Sequence, residues 1–387
     1  MKRVASSSAF GLVVSLSSLL AQDPAPIPAP PITQSPPAKG LQWKVGDYDV
    51  KLGGYVKVDL IHDFDEIGST DSFDPRTIPT NDESNPGMNT RMHARSTRLN
   101  LDVKGPTTEG ELRIFVEGDF FGDGNAFRLR HAFGRLGGLL AGQTWSTFMD
   151  EDCMPETIDF ESPIAFPLIR QAQFRYRGEI TKAGSYWAVA LEDPASRQLA
   201  IATPGEVEEA TPDLCGRLRW AHDRGHCQLG VFAGTARFDP DTAPAEMTVL
   251  YGANFSTCLN VCDEDHFFFQ GTYGPGVGRY RGGFTAALTS SGSLEPIDVL
   301  GFMVAYEHHW SARWRSTVTY SWGEGELPTG VPITGVVENL EYAAANLIYQ
   351  FTSRSWAGVE YLYGSREDQD GTFGRANRVQ LAVRFDI

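Results

Sequence analysis

After its first two dozen residues the sequence has no apolar run approaching the 18 or so residues of a membrane-spanning helix. The one such run, Ala9 to Leu20, follows Lys2 and Arg3 and ends at Leu19-Leu-Ala21. A basic start, an apolar middle and a small residue at the end predict a secretory signal over residues 1–21. No cysteine follows the run, which argues against lipid attachment there. Basic residues are scarce, 33 Lys and Arg against 49 Asp and Glu, for a formal net charge of −16. That balance argues against nucleic acid as a partner, because phosphate binding wants a basic surface. Cysteine is nearly absent: five, an odd number for an exported chain. Cys258 and Cys262 are close enough in sequence to staple one turn and are the candidate disulfide, while Cys153, Cys215 and Cys227 cannot be paired from sequence. No CxxC or Cys/His spacing predicts a metal site, and no GxSxG occurs. His308 and His309 read as interfacial residues beside a turn. No enzyme activity, cofactor or metal is expected.

Proline is unevenly placed. Pro24, Pro26, Pro28, Pro30, Pro31, Pro36 and Pro37 crowd a segment that cannot join a sheet ladder, so residues 22–47 read as an extended Pro/Ala-rich periplasmic linker. The domain proper is expected over residues 48–387.

What is there instead is alternation. In Asn377-Arg-Val-Gln-Leu-Ala-Val-Arg-Phe-Asp-Ile387, Val379, Leu381, Val383, Phe385 and Ile387 share one face, while Arg378, Gln380 and Arg384 share the other. The pattern recurs with Val56, Val58, Leu60 and Phe64 opposite Lys57 and Asp59, and with Leu112, Ile114 and Val116 opposite Arg113, Glu117 and Asp119. It describes strands between oil and water. Backbone groups in lipid must all pair, so such strands close into a barrel. Connections alternate between tight turns, near Gly105–Gly110, Gly137, Glu179, Asp223, Ser311 and Ser353, and long polar segments near 148–167, 193–211, 274–297 and 323–338. The expected fold is an all-β transmembrane antiparallel barrel of roughly sixteen strands, with short periplasmic turns and long external loops, in the outer membrane. The region 246–310 leaves the count uncertain by two. A soluble propeller or sandwich would spread its aromatics along the strands. Here Tyr306, Trp310, Trp314, Tyr320 and Trp322 gather near strand ends, as an interfacial girdle requires.

The same parity turns Arg98, Arg113, Arg128, Arg130, Arg175 and Arg177 inward, with Arg217, Arg219, Arg378 and Arg384. A wall of permanent guanidinium charge draws anions. The long connection FMDEDCMPETIDFESPIAFP, residues 148–167, carries Asp150, Glu151, Asp152, Glu156, Asp159 and Glu161 and no Lys or Arg. Folded into the barrel, its carboxylates would face the arginine wall across a narrow eyelet.

Several segments resemble the DcaP-like family of trimeric outer-membrane porins, similar in build to the phosphate-selective porins. They are Gly54-Tyr-Val-Lys-Val-Asp59, Ser96-Thr-Arg-Leu-Asn100, Val116-Glu-Gly-Asp-Phe120, Arg128-Leu-Arg-His-Ala132, Gly142-Gln-Thr-Trp-Ser146, Tyr273-Gly-Pro-Gly-Val-Gly-Arg-Tyr280 and Tyr306-Glu-His-His-Trp310. The resemblance implies a homotrimer in outer-membrane lipid, a third loop inside each lumen, and passage of small hydrophilic, often anionic solutes such as carboxylates. Arg98, Arg128 and Arg130 fall within the matching segments and take pore-lining roles. Two features depart from the family: the Pro-Ala run replaces a coiled-coil segment, and the chain ends on Ile387 rather than an aromatic residue. The competing expectation is a structural or adhesive barrel whose acidic loops, with Asp63, Asp65, Glu66, Asp71 and Asp74 in the first, bind cations.

Overall fold

A computed structural model describes residues 41–80, 87–181, 183–194, 198–262, 264–281, 283–332 and 335–387. The signal segment and the linker up to residue 40 lie outside the described residues.

Alternating sequence becomes a closed sheet. Its strands run Tyr48–Asp63, then a broken second pass (Asn89–His93 and Arg98–Thr107), Gly110–Asp119, Arg128–Leu136, Leu139–Trp145, Arg170–Glu179, Tyr186–Glu192 and Asp213–His222. They continue through Gly225–Pro240, Glu246–Asn260, His266–Pro275, Asp298–Ser311, Trp314–Glu326, Val337–Thr352, Ser355–Asp368 and Phe373–Asp386, sixteen antiparallel passes in all. The last pairs with the first, from Asp63↔Arg378 to Tyr55↔Asp386, and the Ile387 N–H donates to the Gly54 carbonyl at 3.0 Å. Closure leaves neither strand as an open edge. The ambiguous stretch resolves into the strands Glu246–Asn260, His266–Pro275 and Asp298–Ser311, with a long connection between the last two.

Each strand shows the expected two faces. Leu381, Val383 and Phe385 are exposed on the last one, while Arg378 and Gln380 are buried. Phe174, Trp187, Leu214, Val231, Val249 and Val318 continue the exposed apolar face around the barrel. An apolar belt of this extent is stable only against lipid. At the end with the short turns Trp310 and Trp314 lie exposed, and Trp314 packs on Tyr349 at 4.7 Å, as membrane-interface aromatics do. Tyr320 and Trp322 sit farther along their strand, each beside Phe302.

The ordered sheet begins earlier than the composition indicated. Leu41–Val45 forms a hairpin on Tyr48–Leu52, turning at Gly46 with φ of 62°. The Pro/Ala segment therefore cannot extend to residue 47 as an irregular linker. Residues 41–45 alternate and contain no proline, so nothing prevents them from pairing.

Candidate functional site

The third long connection, residues 146–169, enters the barrel and provides much of its buried apolar material. Phe148 packs on Phe232 and Tyr280, with ring centroids 5.2 and 4.7 Å away. Cys153 and Phe166 join Cys258, Phe268, Met303 and Ala305 in one cluster, and Ile158 joins Ile348, Trp356 and Ala382 in another. The loop's backbone is held as firmly. Lys57 Nζ donates to the Ile158 carbonyl at 2.6 Å, Glu360 accepts the Ile158 and Asp159 N–H groups at 3.0 and 2.6 Å, and Gln228 donates to the Met149 carbonyl at 3.1 Å. Apart from Tyr280, these partners belong to strands from Gly225–Pro240 round to Phe373–Asp386 and Tyr48–Asp63. The loop thus lines one side of the lumen and leaves most of the wall between Arg98 and Glu179 uncovered.

Its carboxylates do not face that bare wall. Asp150 is fully buried, where His226 Nε2 and Ser256 Oγ lie 2.8 and 2.6 Å from Oδ2 and Arg219 donates to Oδ1 at 3.4 Å. Burial alone would raise its pKa, but His226 and Arg219 outweigh it and hold it down to about 2. Asp159 accepts the N–H groups of Phe73 and Glu161 and lies 3.9 Å from Arg378. There burial prevails over the nearby cations and raises the pKa. Glu156 forms a two-pronged pair with Arg315, at 2.5 and 2.8 Å. The sequence expectation is corrected for Asp150 and Asp159: they are buried anchors for the loop, not lining. Glu151 pairs with Arg217, Asp152 with Arg219, and Glu161 with Arg76 and Arg281, each keeping part of its side chain exposed. Burial also pushes the Glu161 carboxyl up, against the pull of Arg281.

The six arginines read from parity all point to the lumen side of these strands, but the expectation is corrected for Arg130, which is 3% exposed and buried among its ion pairs rather than lining the pore. Arg128 and Arg130 share Asp119, Arg130 also reaches Glu117 at 3.1 Å, and Arg98 stands 4.0 Å from Glu117. Arg113 pairs with Asp102 at 2.8 Å. Arg175 donates to Gln173 and to the Trp145 carbonyl, and Arg177 stacks 3.8 Å over Tyr186. Among the described residues only three carboxylates lie within 4 Å of these six cations. The side chains of Arg98 and Arg128 remain 26% and 37% exposed, open to water and solute. The loop presents an aromatic ring to them: Phe160 lies 5.6 to 5.9 Å from Arg98, Arg128 and Arg130, and stacks on Phe121 at 3.8 Å. Phe160 was missed because its acidic neighbours, Asp159 and Glu161, drew the reading. Near the long loops, Arg76, Glu161, Leu168, Ile169, Gln198, Arg279 and Arg281 enclose a cavity of about 230 Å³.

Other expectations are settled by pairing. All five cysteines are free. Cys258 sits inside an extended strand with its thiol buried towards the loop, whereas Cys262 is exposed in the following turn, so the strand carries the two apart. In the first long connection Asp71 pairs with Arg91 and Arg95, Asp74 with Arg76, and Asp65 accepts from Asn377. Asp63 pairs with Arg378.

A closed sixteen-strand barrel with a lipid-facing apolar belt and a charged lumen narrowed by an inserted loop is the architecture of an outer-membrane porin. The chain belongs to the DcaP outer membrane protein family, whose model matches residues 42–387. Among solved structures it resembles the outer membrane channel DcaP of Acinetobacter baumannii, at TM-score 0.78 and 24% identity over 90% of this chain and 100% of that one. It also resembles the trimer form of OmpT from Vibrio cholerae (0.55, 12%, 88% of this chain and 99% of that) and an anion-selective porin from Comamonas acidovorans (0.53, 10%, 88% and 100%). A comparison with curated proteins gives no match.

Proposed function

We propose that this porin is a passive diffusion channel for small hydrophilic solutes, biased towards anions such as carboxylates, and that it assembles as a homotrimer. One observation carries the bias. On the wall left bare by the third loop, only three carboxylates among the described residues lie within 4 Å of the six arginines, while the loop's own acids are turned away from it or paired. The excess positive charge lowers the barrier for an anion, and the guanidinium fork fits a carboxylate. In contrast to an eyelet with acids on one side and arginines on the other, this aperture sets an aromatic ring and its flanking acid pairs against the arginines. Partly exposed Glu151, Asp152 and Glu161 line the loop's edge and moderate the bias. The trimeric state is supported by the family resemblance and by the trimer form of OmpT.

The test is reversal potential across planar bilayers in asymmetric KCl. Wild type should prefer chloride, and Arg98→Glu with Arg128→Glu should move the potential towards cation preference. Both side chains are partly exposed, and the buried Asp119 keeps Arg130 as a partner when Arg128 is replaced. A reversal potential unmoved by the double variant would end the arginine-wall reading. A barrel that does not conduct would end the channel reading itself.

A further inference from the structure

At the short-turn end of the lumen, three residues from adjacent strands converge. His266 opens the strand His266–Pro275 and is the register partner of Glu307 on Asp298–Ser311; His309 lies two residues beyond Glu307 on the same face. One ligand atom from each lies within 4.8 Å of the others. The His266 ring is already held as that of a metal ligand would be. His266 Nδ1 is 3.0 Å from the Asn260 amide oxygen, which only accepts, so Nδ1 carries the hydrogen and Nε2 keeps its lone pair. A carbonyl behind the ring is the usual way a ligating imidazole is oriented. His309 Nε2 lies 3.0 Å from Glu307 Oε1, and the rings of His266 and His309 are 6.1 Å apart.

The second observation is an orphan. Glu307 is 94% buried by side-chain and backbone together (6% exposed), and its Oε2 has no hydrogen-bond partner. A buried carboxylate oxygen without a donor is desolvated without compensation, and a cation removes that penalty. The neighbouring charges do not supply one. Arg315, the neighbouring cation, is committed in two-pronged fashion to Glu156 and also donates to Gln350. Glu264, 3.8 Å from His309 Nδ1, stands where an outer carboxylate would orient that ring.

We propose that His266, Glu307 and His309 bind a divalent transition-metal ion. Two imidazoles and one carboxylate suit Zn²⁺, Co²⁺, Ni²⁺ or Cu²⁺ and discriminate against Mg²⁺ and Ca²⁺, which take oxygen ligands. Bonds of about 2.0–2.2 Å put tetrahedral ligand atoms about 3.4 Å apart, so small side-chain rotations close the cluster around the ion and leave one position for water. The ion would displace the hydrogen shared by His309 and Glu307, and it would add positive charge to the mouth of the pore. The site stands on its own geometry and does not depend on which solutes the channel passes.

The full-length protein in detergent, stripped with chelator, is titrated with Co²⁺ and then with Zn²⁺. One equivalent of Co²⁺ should give the visible absorption of a four- or five-coordinate centre, which Zn²⁺ abolishes. His266→Ala with His309→Ala should weaken binding by at least about a hundredfold, and Asn260→Ala by about 10–100-fold, at unchanged conductance and heat-dependent gel mobility. X-ray absorption of the Zn²⁺-loaded wild type, which needs no variant, should show two imidazoles. Absence of the Co²⁺ spectrum, retention of binding by the double variant, or a zinc shell without imidazole would each overturn the site. Normal conductance alongside any of these would leave the channel reading standing.

Discussion

Arg378 shows what the lumen asks of individual residues. It is fully buried, donates to Asp63 at 2.5 Å and to the Ser69 carbonyl at 2.8 Å, and has Asp159 as a more distant counter-ion. Removing one member of such a pair leaves an uncompensated buried charge, which costs about 3–5 kcal/mol. Asp63→Ala should therefore lower the temperature at which the folded band is lost on semi-native gels, well beyond the effect of Asp49→Ala on the exposed Lys44 pair. Asp150 makes a pH-dependent contribution. Its pKa in the folded protein is about 2, below the ordinary 3.8, so the native carboxylate stabilises the loop fully above about pH 5 and loses that effect as pH falls through 3.8 towards 2. The contribution is about 2 kcal/mol. Asp150→Asn should remove it, so the gap in thermal midpoint between wild type and variant should narrow steadily from pH 5 to pH 2. A gap that stays constant over that range would show that Asp150 holds the loop by shape rather than charge.

The third loop lies against the strands because some wall positions have no side chain. A Cβ on Gly230 would sit 2.5 Å from the Phe148 carbonyl oxygen, and one on Gly358 would sit 2.6 Å from Ile158 Cδ1. The first contact is with backbone, which cannot rotate aside. Gly230→Val should push the loop off the wall into the aperture, at a cost of about 1–3 kcal/mol, and lower single-channel conductance while the barrel remains closed. A conductance equal to wild type would mean that the start of the loop does not bound the pore. The strands themselves were legible because a period of two places Leu381 and Arg378 on opposite faces whatever the tertiary context. The insertion of residues 148–167 was legible from family resemblance, length and charge. Its orientation was not, because Asp150 finds His226 and Ser256, Glu156 finds Arg315, and Asp159 finds Arg378, partners far away in sequence that parity cannot choose among. The His266, Glu307 and His309 cluster was hidden for the same reason: its ligands meet only through the register of two strands.

The whole molecule sets a chain of net negative charge around a lumen wall that carries arginines. The net charge is −16, yet the bare lumen wall carries an excess of guanidinium groups, so distance decides which of the two a solute feels. Screening separates them. The Debye length is about 10 Å at 0.1 M salt and about 3 Å at 1 M. At 0.1 M an anion approaching the long loops still feels the distributed acids, and within the aperture it feels Arg98 and Arg128, whose guanidinium groups both lie within 6 Å of the Phe160 ring. At 1 M the distant acids are silent and only direct contact with the arginines remains. Anion preference at the aperture should therefore survive moderate salt but shrink towards the free-solution ratio of the ions at 1 M. Arg98→Glu with Arg128→Glu should show its largest departure from wild type at the lowest salt. Reversal potentials measured from 0.1 to 1 M KCl at a fixed concentration ratio decide the matter. If selectivity is independent of salt, it arises from pore size and contact geometry, and the excess charge on the wall does not govern it.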